Sequence, residues 1–211
     1  MDAITPKENI FRRIREALVS APMGASRSVD LESSVYPEAK GDLAVLFAEK
    51  FIAKGGRIVY CEDIEMILQS LQELVRMHAW DGRIFCVDED IRSLLEFASI
   101  EYGCRPVEAA LKDVGFCACR WLLASEGSVV FDSSQNGRRV LAQAGTLVFF
   151  ATVGQIVPDM HHALKQLKGT PKCSSLSVWT GLSCFGDIDG DVLPGLGPQD
   201  MYMVLIDGSL E

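Results

Sequence analysis

No stretch of this sequence is apolar for the roughly 18–20 residues that a helix needs to cross a bilayer. The opening residues, Met1 to Glu8, hold no apolar signal core, so a cytoplasmic location is expected and no membrane partner. Basic charge is also short. Twenty Lys and Arg stand against 29 Asp and Glu, for a net charge of −9. A protein that wraps nucleic acid needs a basic face, so nucleic acid is excluded as a partner. The chain contains no G-x-S-x-G, Walker, H-E-x-x-H or Rossmann G-x-G-x-x-G signature. Histidine is scarce, with three in all. His161 and His162 are neighbours on a helical pattern, about 100° apart, a poor arrangement for gripping one metal. His78 closes another helical pattern, where its charge suits the helix dipole. None of the three is assigned to catalysis.

Paired cysteine spacings are missing too. Seven cysteines are present, but Cys117-Ala-Cys119 is a C-x-C, and no second pair joins it with Cys104, Cys173 or Cys184. Zinc and cluster sites usually show such a pair, so the set reads as reduced and structural, with no metal and no cofactor assigned. Cys61 and Cys86 lie in apolar, strand-like runs and read as buried thiols. The run Asp187-Ile-Asp189-Gly-Asp191 fails the EF-hand pattern, with Val192 at position six and Pro198 at position twelve. A single Mg²⁺ on Asp187 and Asp189 or a plain polar turn both fit those residues.

What is present is a core. Hydrophobic residues make up 48% of 211, enough for one domain. Thr5-Pro6-Lys7-Glu8 starts a helix, with a capping threonine, a proline at the first turn and a capping-box glutamate. Ile10, Phe11, Ile14 and Leu18 follow at helical spacing. Residues 20–40 carry prolines, a glycine and serines without a period and read as a surface connection.

From Asp42 the pattern alternates. A helix through Leu43 to Ile52 ends at Gly55-Gly56, and Arg57 to Cys61 is a strand. A helix through Ile64 to Val75 leads to a strand at Arg83 to Val87, then to a helix through Phe97. Residues 111–121 read as a helical turn and a strand. Trp121 to Ala124 and Ser128 to Phe131 form a hairpin at Gly127, Thr146 to Ala151 is a buried strand, and Val157-Pro158-Asp159 starts a helix. Ser175 to Trp179 and Asp200 to Ile206 are the last strands. Strands separated by helices of this length predict an α/β fold with a mainly parallel, partly mixed sheet.

The densest binding chemistry lies between Ala124 and Arg139, where a hairpin runs into a polar glycine loop with two arginines. Asn136, Gly137, Arg138 and Arg139 can hold an anion through backbone N–H groups and a guanidinium fork, or can be a solvated loop. Glu126, Gly127 and Ser128, at the hairpin turn, are expected to face the crevice at the carboxyl ends of the parallel strands. There Glu126 can serve as a general base or a covalent carboxylate, or can simply be a turn residue in water.

The second half resembles the LUD domain family, that of lactate utilization protein C. The resemblance runs from about residue 113 to 207. It is carried by Glu126-Gly-Ser-Val-Val130, Asn136-Gly-Arg-Arg139, Thr146 to Ala151, Gln155-Ile-Val157, Thr180-Gly-Leu-Ser-Cys-Phe-Gly-Asp-Ile-Asp189, Gly197-Pro198 and Met201 to Asp207. It implies one LUD-type domain over 1–211, with an N-terminal helix and connection in 1–40 and an α/β core in 41–211. The implied fold is a three-layer α/β/α arrangement like that of sugar-phosphate isomerases and CoA transferases. The implied role is an accessory or regulatory subunit in the oxidation of lactate to pyruvate, beside iron–sulfur partner subunits. Its ligand would be a small anionic metabolite near Gly127, Ser128, Asn136 to Arg139 and Ser183. Two alternatives remain: an enzyme of the isomerase/CoA transferase class using Glu126 or Asp187, and a degenerate non-catalytic paralogue. Homo-oligomerisation is left open. Two departures bear on activity: Leu196 replaces the histidine of the family's V-H-G-P turn, and Cys184-Phe185 replaces its basic and hydroxyl positions.

Overall fold

The computed structural model describes residues 10–13, 15–16, 41–104, 114–132, 144–167, 175–182, 184–186, 192–195 and 197–208. The chain divides into two compact units, Met1–Pro37 and Glu38–Glu211. In the first, residues 10–13 and 15–16 are helical (α1), and Arg12 meets Glu16 one turn on at 3.8 Å. Both side chains are exposed, so water screens the pair and it adds little.

The second unit is built from strand–helix units, each helix opened by an aspartate. Asp42 Oδ1 accepts from the N–H groups of Ala44 (2.7 Å) and Val45 (3.4 Å) and starts α2 (Leu43–Ala53). The side chain satisfies amide donors that have no partner within the helix. The chain then turns through Gly55 into β1 (Arg57–Cys61). Asp63 caps α3 (Ile64–His78) by accepting from Met66 N at 2.7 Å. The strand β2 (Ile84–Cys86) follows, and Asp88 caps α4 (Glu89–Phe97) through Ile91 N at 3.3 Å. Of the ambiguous residues 111–121, Val114–Ala118 form a strand, β3.

The predicted hairpin comes next, as β4 (Trp121–Leu123) and β5 (Ser128–Asp132), in antiparallel register with Leu122 opposite Val129. The central strand is β6 (Thr146–Thr152). The helix expected at Val157 starts later. Ile156–Val157 form a short strand, β7, and α5 (Met160–Gln166) begins behind Asp159, which accepts from His162 N at 2.9 Å. Proline at 158 explains the delay, because its ring pushes the preceding residue into extended backbone. Then come β8 (Leu176–Trp179), a small antiparallel pair of β9 (Cys184–Gly186) and β10 (Val192–Pro194) that the sequence pattern does not reveal, and β11 (Asp200–Ile206).

Five strands make one sheet in the order β1-β11-β6-β3-β2, and each neighbouring pair is parallel. The antiparallel hairpin belongs to a second, mixed sheet, β7-β4-β5-β8. On one face of the parallel sheet, Leu147, Phe149, Met201 and Met203 pack against Phe47 and Phe51 of α2 and Leu122, Val129 and Phe131 of the second sheet. On the other face, Val148, Phe150, Val204 and Ile206 pack against Ile67, Leu71 and Leu74 of α3 and Ile91, Leu94 and Leu95 of α4. The hairpin strands alternate. Leu122 and Val129 point to the parallel sheet, while Trp121, Leu123 and Val130 point outward to Ala163 of α5. Both faces of β4 and β5 are therefore buried, and period-two alternation sorts one set of apolar side chains into two cores.

Helix α3 ends at Ala79, whose φ of 51° lies in the left-handed region that costs a residue with a Cβ. Replacing Ala79 with glycine relieves that strain. Ala79→Gly is expected to raise the unfolding free energy by about 0.5–1 kcal/mol, seen in urea melts as a higher midpoint at unchanged slope.

Candidate functional site

In open α/β sheets, ligands bind beyond the carboxyl ends of the strands. Here that edge is organised by Gln155. After β6 the chain makes a single 3₁₀ turn, Val153–Gln155, which folds the glutamine side chain back. Its Oε1 accepts from Thr152 N at 2.6 Å, and its Nε2 donates to the carbonyl of Cys119 at 2.6 Å. One side chain thus straps the end of β6 to the end of β3. Beside it lies a cavity of about 190 Å³, walled by Asp88, Asp90, Cys119, Thr152, Gln155 and Ile206 among others. Just beyond, Arg120 pairs with the fully buried carboxylate of Asp132 at the end of β5, and its guanidinium lies 4.8 Å from the centre of the Trp121 ring. A buried carboxylate is tolerable only with such a partner.

The edge is acidic. Glu62 and Asp63 follow β1, Asp88 and Asp90 follow β2, and Asp207 follows β11. Some of these groups are already engaged, Asp63 and Asp88 as helix caps and Asp207 as acceptor of a 2.8 Å hydrogen bond from Tyr60 OH. Burial is the largest influence on Asp88 and pushes its carboxyl above the usual range. Burial likewise pushes the Cys86 thiol up to about 12, and raises Cys117 and Cys119 well above the ordinary thiol value. These thiols stay protonated at neutral pH, which makes them inert packing groups rather than nucleophiles. Among the described residues, no three His, Cys, Asp or Glu gather as a metal would require.

Of the residues singled out from the sequence, Asn136, Gly137, Arg138, Arg139, Ser183 and Asp187 lie outside the described residues. Glu126, Gly127 and Ser128 are described, and they do not face the carboxyl-end crevice. Their turn packs on the last turn of α2 and the bend leading into β1, on the amino-end side of that strand. The Lys54 ammonium donates to the Glu126 carbonyl. Ser128 is fully buried, and its hydroxyl lies 2.6 Å from that of Thr180 and 3.5 Å from Glu126 Oε2. So the Glu-Gly-Ser and Thr-Gly stretches meet, joined by the Ser128–Thr180 hydroxyl pair. Gly127 has a φ of 60°, and a Cβ there would lie 2.5 Å from the backbone of Lys50 and Phe51. Spacing along a hairpin says nothing about which end of the sheet its turn reaches, which is why the sequence suggests the wrong edge. Gln155, Asp88 and Asp90 do stand at the carboxyl edge, and their places in the sequence show it. Each lies within four residues of the end of a strand in the parallel sheet.

Two outcomes follow from this geometry. Gly127→Ala forces both a left-handed backbone and a clash with the α2 backbone, so it should destabilise by about 2–4 kcal/mol in chemical denaturation. Asp88→Asn keeps a capping oxygen and removes a buried charge. Because the folded carboxyl titrates above its unfolded value, the wild type binds its proton more tightly when folded. It therefore loses stability relative to the variant as pH rises through that folded value. Paired urea melts from about pH 4 to 7 should show the Asn variant gaining on the wild type, then levelling off.

Comparison with known proteins agrees with the fold. No curated protein matches the chain. A crystal structure of a DUF162 family protein from Deinococcus radiodurans superposes with a TM-score of 0.59 at 14% identity, covering 82% of this chain and 100% of that one. At that identity it is the architecture that is shared. The family model of the LUD domain matches residues 101–206, the half that holds β3 to β11 and, with them, Gln155, Cys119 and the hairpin. The chain belongs to the LUD domain family.

Proposed function

We propose that this protein is an accessory or regulatory subunit in the oxidation of lactate, or of a related 2-hydroxy acid, and that it binds a small anionic ligand of that class. The observation that carries the binding part is the 190 Å³ cavity at the carboxyl ends of β3, β6 and β11, with Gln155 on its wall. Its size suits a few-carbon acid better than a nucleotide. Its described walls offer carboxylate acceptors at Asp88 and Asp90, to which a ligand hydroxyl can donate. They offer no lysine or arginine. For the ligand's own carboxylate the reading draws on the sequence, where Arg138 and Arg139 follow Asp132 along the chain. Asp132 is paired to Arg120, the neighbour of cavity-lining Cys119. The link to lactate, and to iron–sulfur partner subunits, comes from the family motifs and not from the cavity. An enzyme of the isomerase/CoA transferase class acting through Glu126 gains nothing from the geometry, since that carboxylate lies away from the cavity.

A thermal-shift screen of lactate, pyruvate, sugar phosphates, CoA esters and sulfate tests this reading. A ligand at a hundred times its dissociation constant adds about 2.7 kcal/mol, a rise of several degrees in Tm for a chain of this size. Lactate or pyruvate should give that rise, and Arg138→Ala with Arg139→Ala should abolish it. A flat response to the whole panel removes the small-anion reading and leaves the non-catalytic paralogue. Turnover of a sugar phosphate or CoA ester that is lost in Glu126→Gln would establish the enzyme instead.

A further inference from the structure

A second, larger space opens on the outer side of the same edge. Between α3 and α4 runs a groove of about 660 Å³. Helix α4 turns Asp90, Ser93, Leu94 and Phe97 into it, a spacing of i, i+3, i+4 and i+7 that forms one helical face. Helix α3 answers with Ile64, Ile67 and Leu68, and Ile206 lies beneath. Two large apolar side chains stand open at its mouth. Phe97 is 78% exposed and Ile64 48%. The rim is of one sign, with Glu62, Asp63, Asp90 and Asp207 lining the groove and no lysine or arginine among its described walls.

We propose that this groove is the docking site for a short amphipathic helix of a partner protein, one whose apolar stripe is flanked by lysine or arginine. Two helical walls with side chains at helical spacing make a channel that accepts the ridge of a third helix. Exposed Phe97 and Ile64 supply apolar anchors, and the carboxylate rim selects the charge of what lies beside them. Among the described residues Asp63 and Asp207 each accept one hydrogen bond on the side chain, and a carboxylate has further lone pairs for an incoming ammonium or guanidinium. A small free amine would meet the rim charges but leave Phe97 in water. The proposal does not rest on the ligand reading above. The groove shares Asp90, Leu94 and Ile206 with the smaller cavity, yet filling one does not require filling the other.

The test is selection of a displayed library of amphipathic helical peptides, both acidic- and basic-flanked, on the full chain. Phe97→Asp serves as the counter-selection bait. Since Phe97 is largely exposed, circular dichroism and Tm of this variant should match the wild type and rule out misfolding as a cause. Enriched peptides should carry apolar residues at i, i+3 or i+4 and i+7 with basic flanks. Fluorescence anisotropy should then show binding about tenfold weaker or worse in Phe97→Ala, the loss typical of a truncated aromatic anchor. Binding should also weaken in Glu62→Lys with Asp90→Lys, and at high salt. No enrichment, enrichment without basic bias, or equal binding to Phe97→Asp would overturn the proposal. So would binding of spermine alone with no peptide recovered. Because the ligand screen reads a different cavity and different variants, either reading can fail while the other stands.

Discussion

The strand β6 is what the rest of the fold leans on. It is paired along both edges, to β11 on one side and β3 on the other. Leu147, Phe149 and Ala151 enter one core while Val148 and Phe150 enter the other. No backbone group of a strand so placed can turn to water, so its amides and carbonyls must find partners in the neighbouring strands. Its side chains must be apolar on both faces, and Leu147 to Ala151 obey that demand without a break. The two core layers lie on opposite faces of this sheet, and the Gln155 strap is an extension of the same strand. The cavity beside it is thus positioned by a strand held along both edges and on both faces.

Much of this was legible in the chain. The apolar periods through residues 43–52, 64–75 and up to Phe97 announce three helices because such a period is a local pattern, read without knowing the fold, whereas the aspartates that cap them, Asp42, Asp63 and Asp88, come from the structure. The runs Arg57 to Cys61 and Asp200 to Ile206 appear as strands for a related reason, since β-branched and aromatic residues in short blocks fit a pleated surface. The hairpin at Gly127 is equally local. The misreadings are of another kind. That β4 and β5 belong to a second sheet depends on packing against α5 and α2, and no pattern within residues 121–132 encodes it. The late start of α5 was signalled by Pro158, but its consequence, the strand β7, depends on the pairing of Leu122 with Ile156. As for the site, Glu126 and Ser128 were conspicuous for their chemistry, whereas Gln155 looked like an ordinary motif position. The Ser128 hydroxyl is spent within the second sheet, on Thr180, and the Glu126 carbonyl takes the Lys54 ammonium at the end of α2.

The acidity of the carboxyl edge has two origins, and separating them matters for function. An α/β unit must begin a helix soon after each strand, and the cap that begins it is often aspartate. Asp63 and Asp88 are therefore required by the architecture whatever the edge binds. Asp90 and Glu62 are not caps, and they tip the local field negative beyond what the helices need. A net charge of −9 is thus partly concentrated where the cavity and the groove open. Electrostatics of this kind repels free anions from a distance and draws cations in, unless a basic segment is brought to the edge.

The sheet order also has a consequence for how the protein comes to be made. In space β11 is inserted between β1 and β6, although it is the last of the strands along the chain. A ribosome releases β1 and β6 long before the strand that must lie between them. Until it arrives, both present unpaired, largely apolar edges, the situation in which nascent chains recruit chaperones or find one another. Register with Met201 to Leu205 then closes the sheet in a single late step, drawing together segments from the two ends of the unit. Slow, cooperative completion of this type is the kinetic cost of a parallel sheet whose final strand is threaded through its middle.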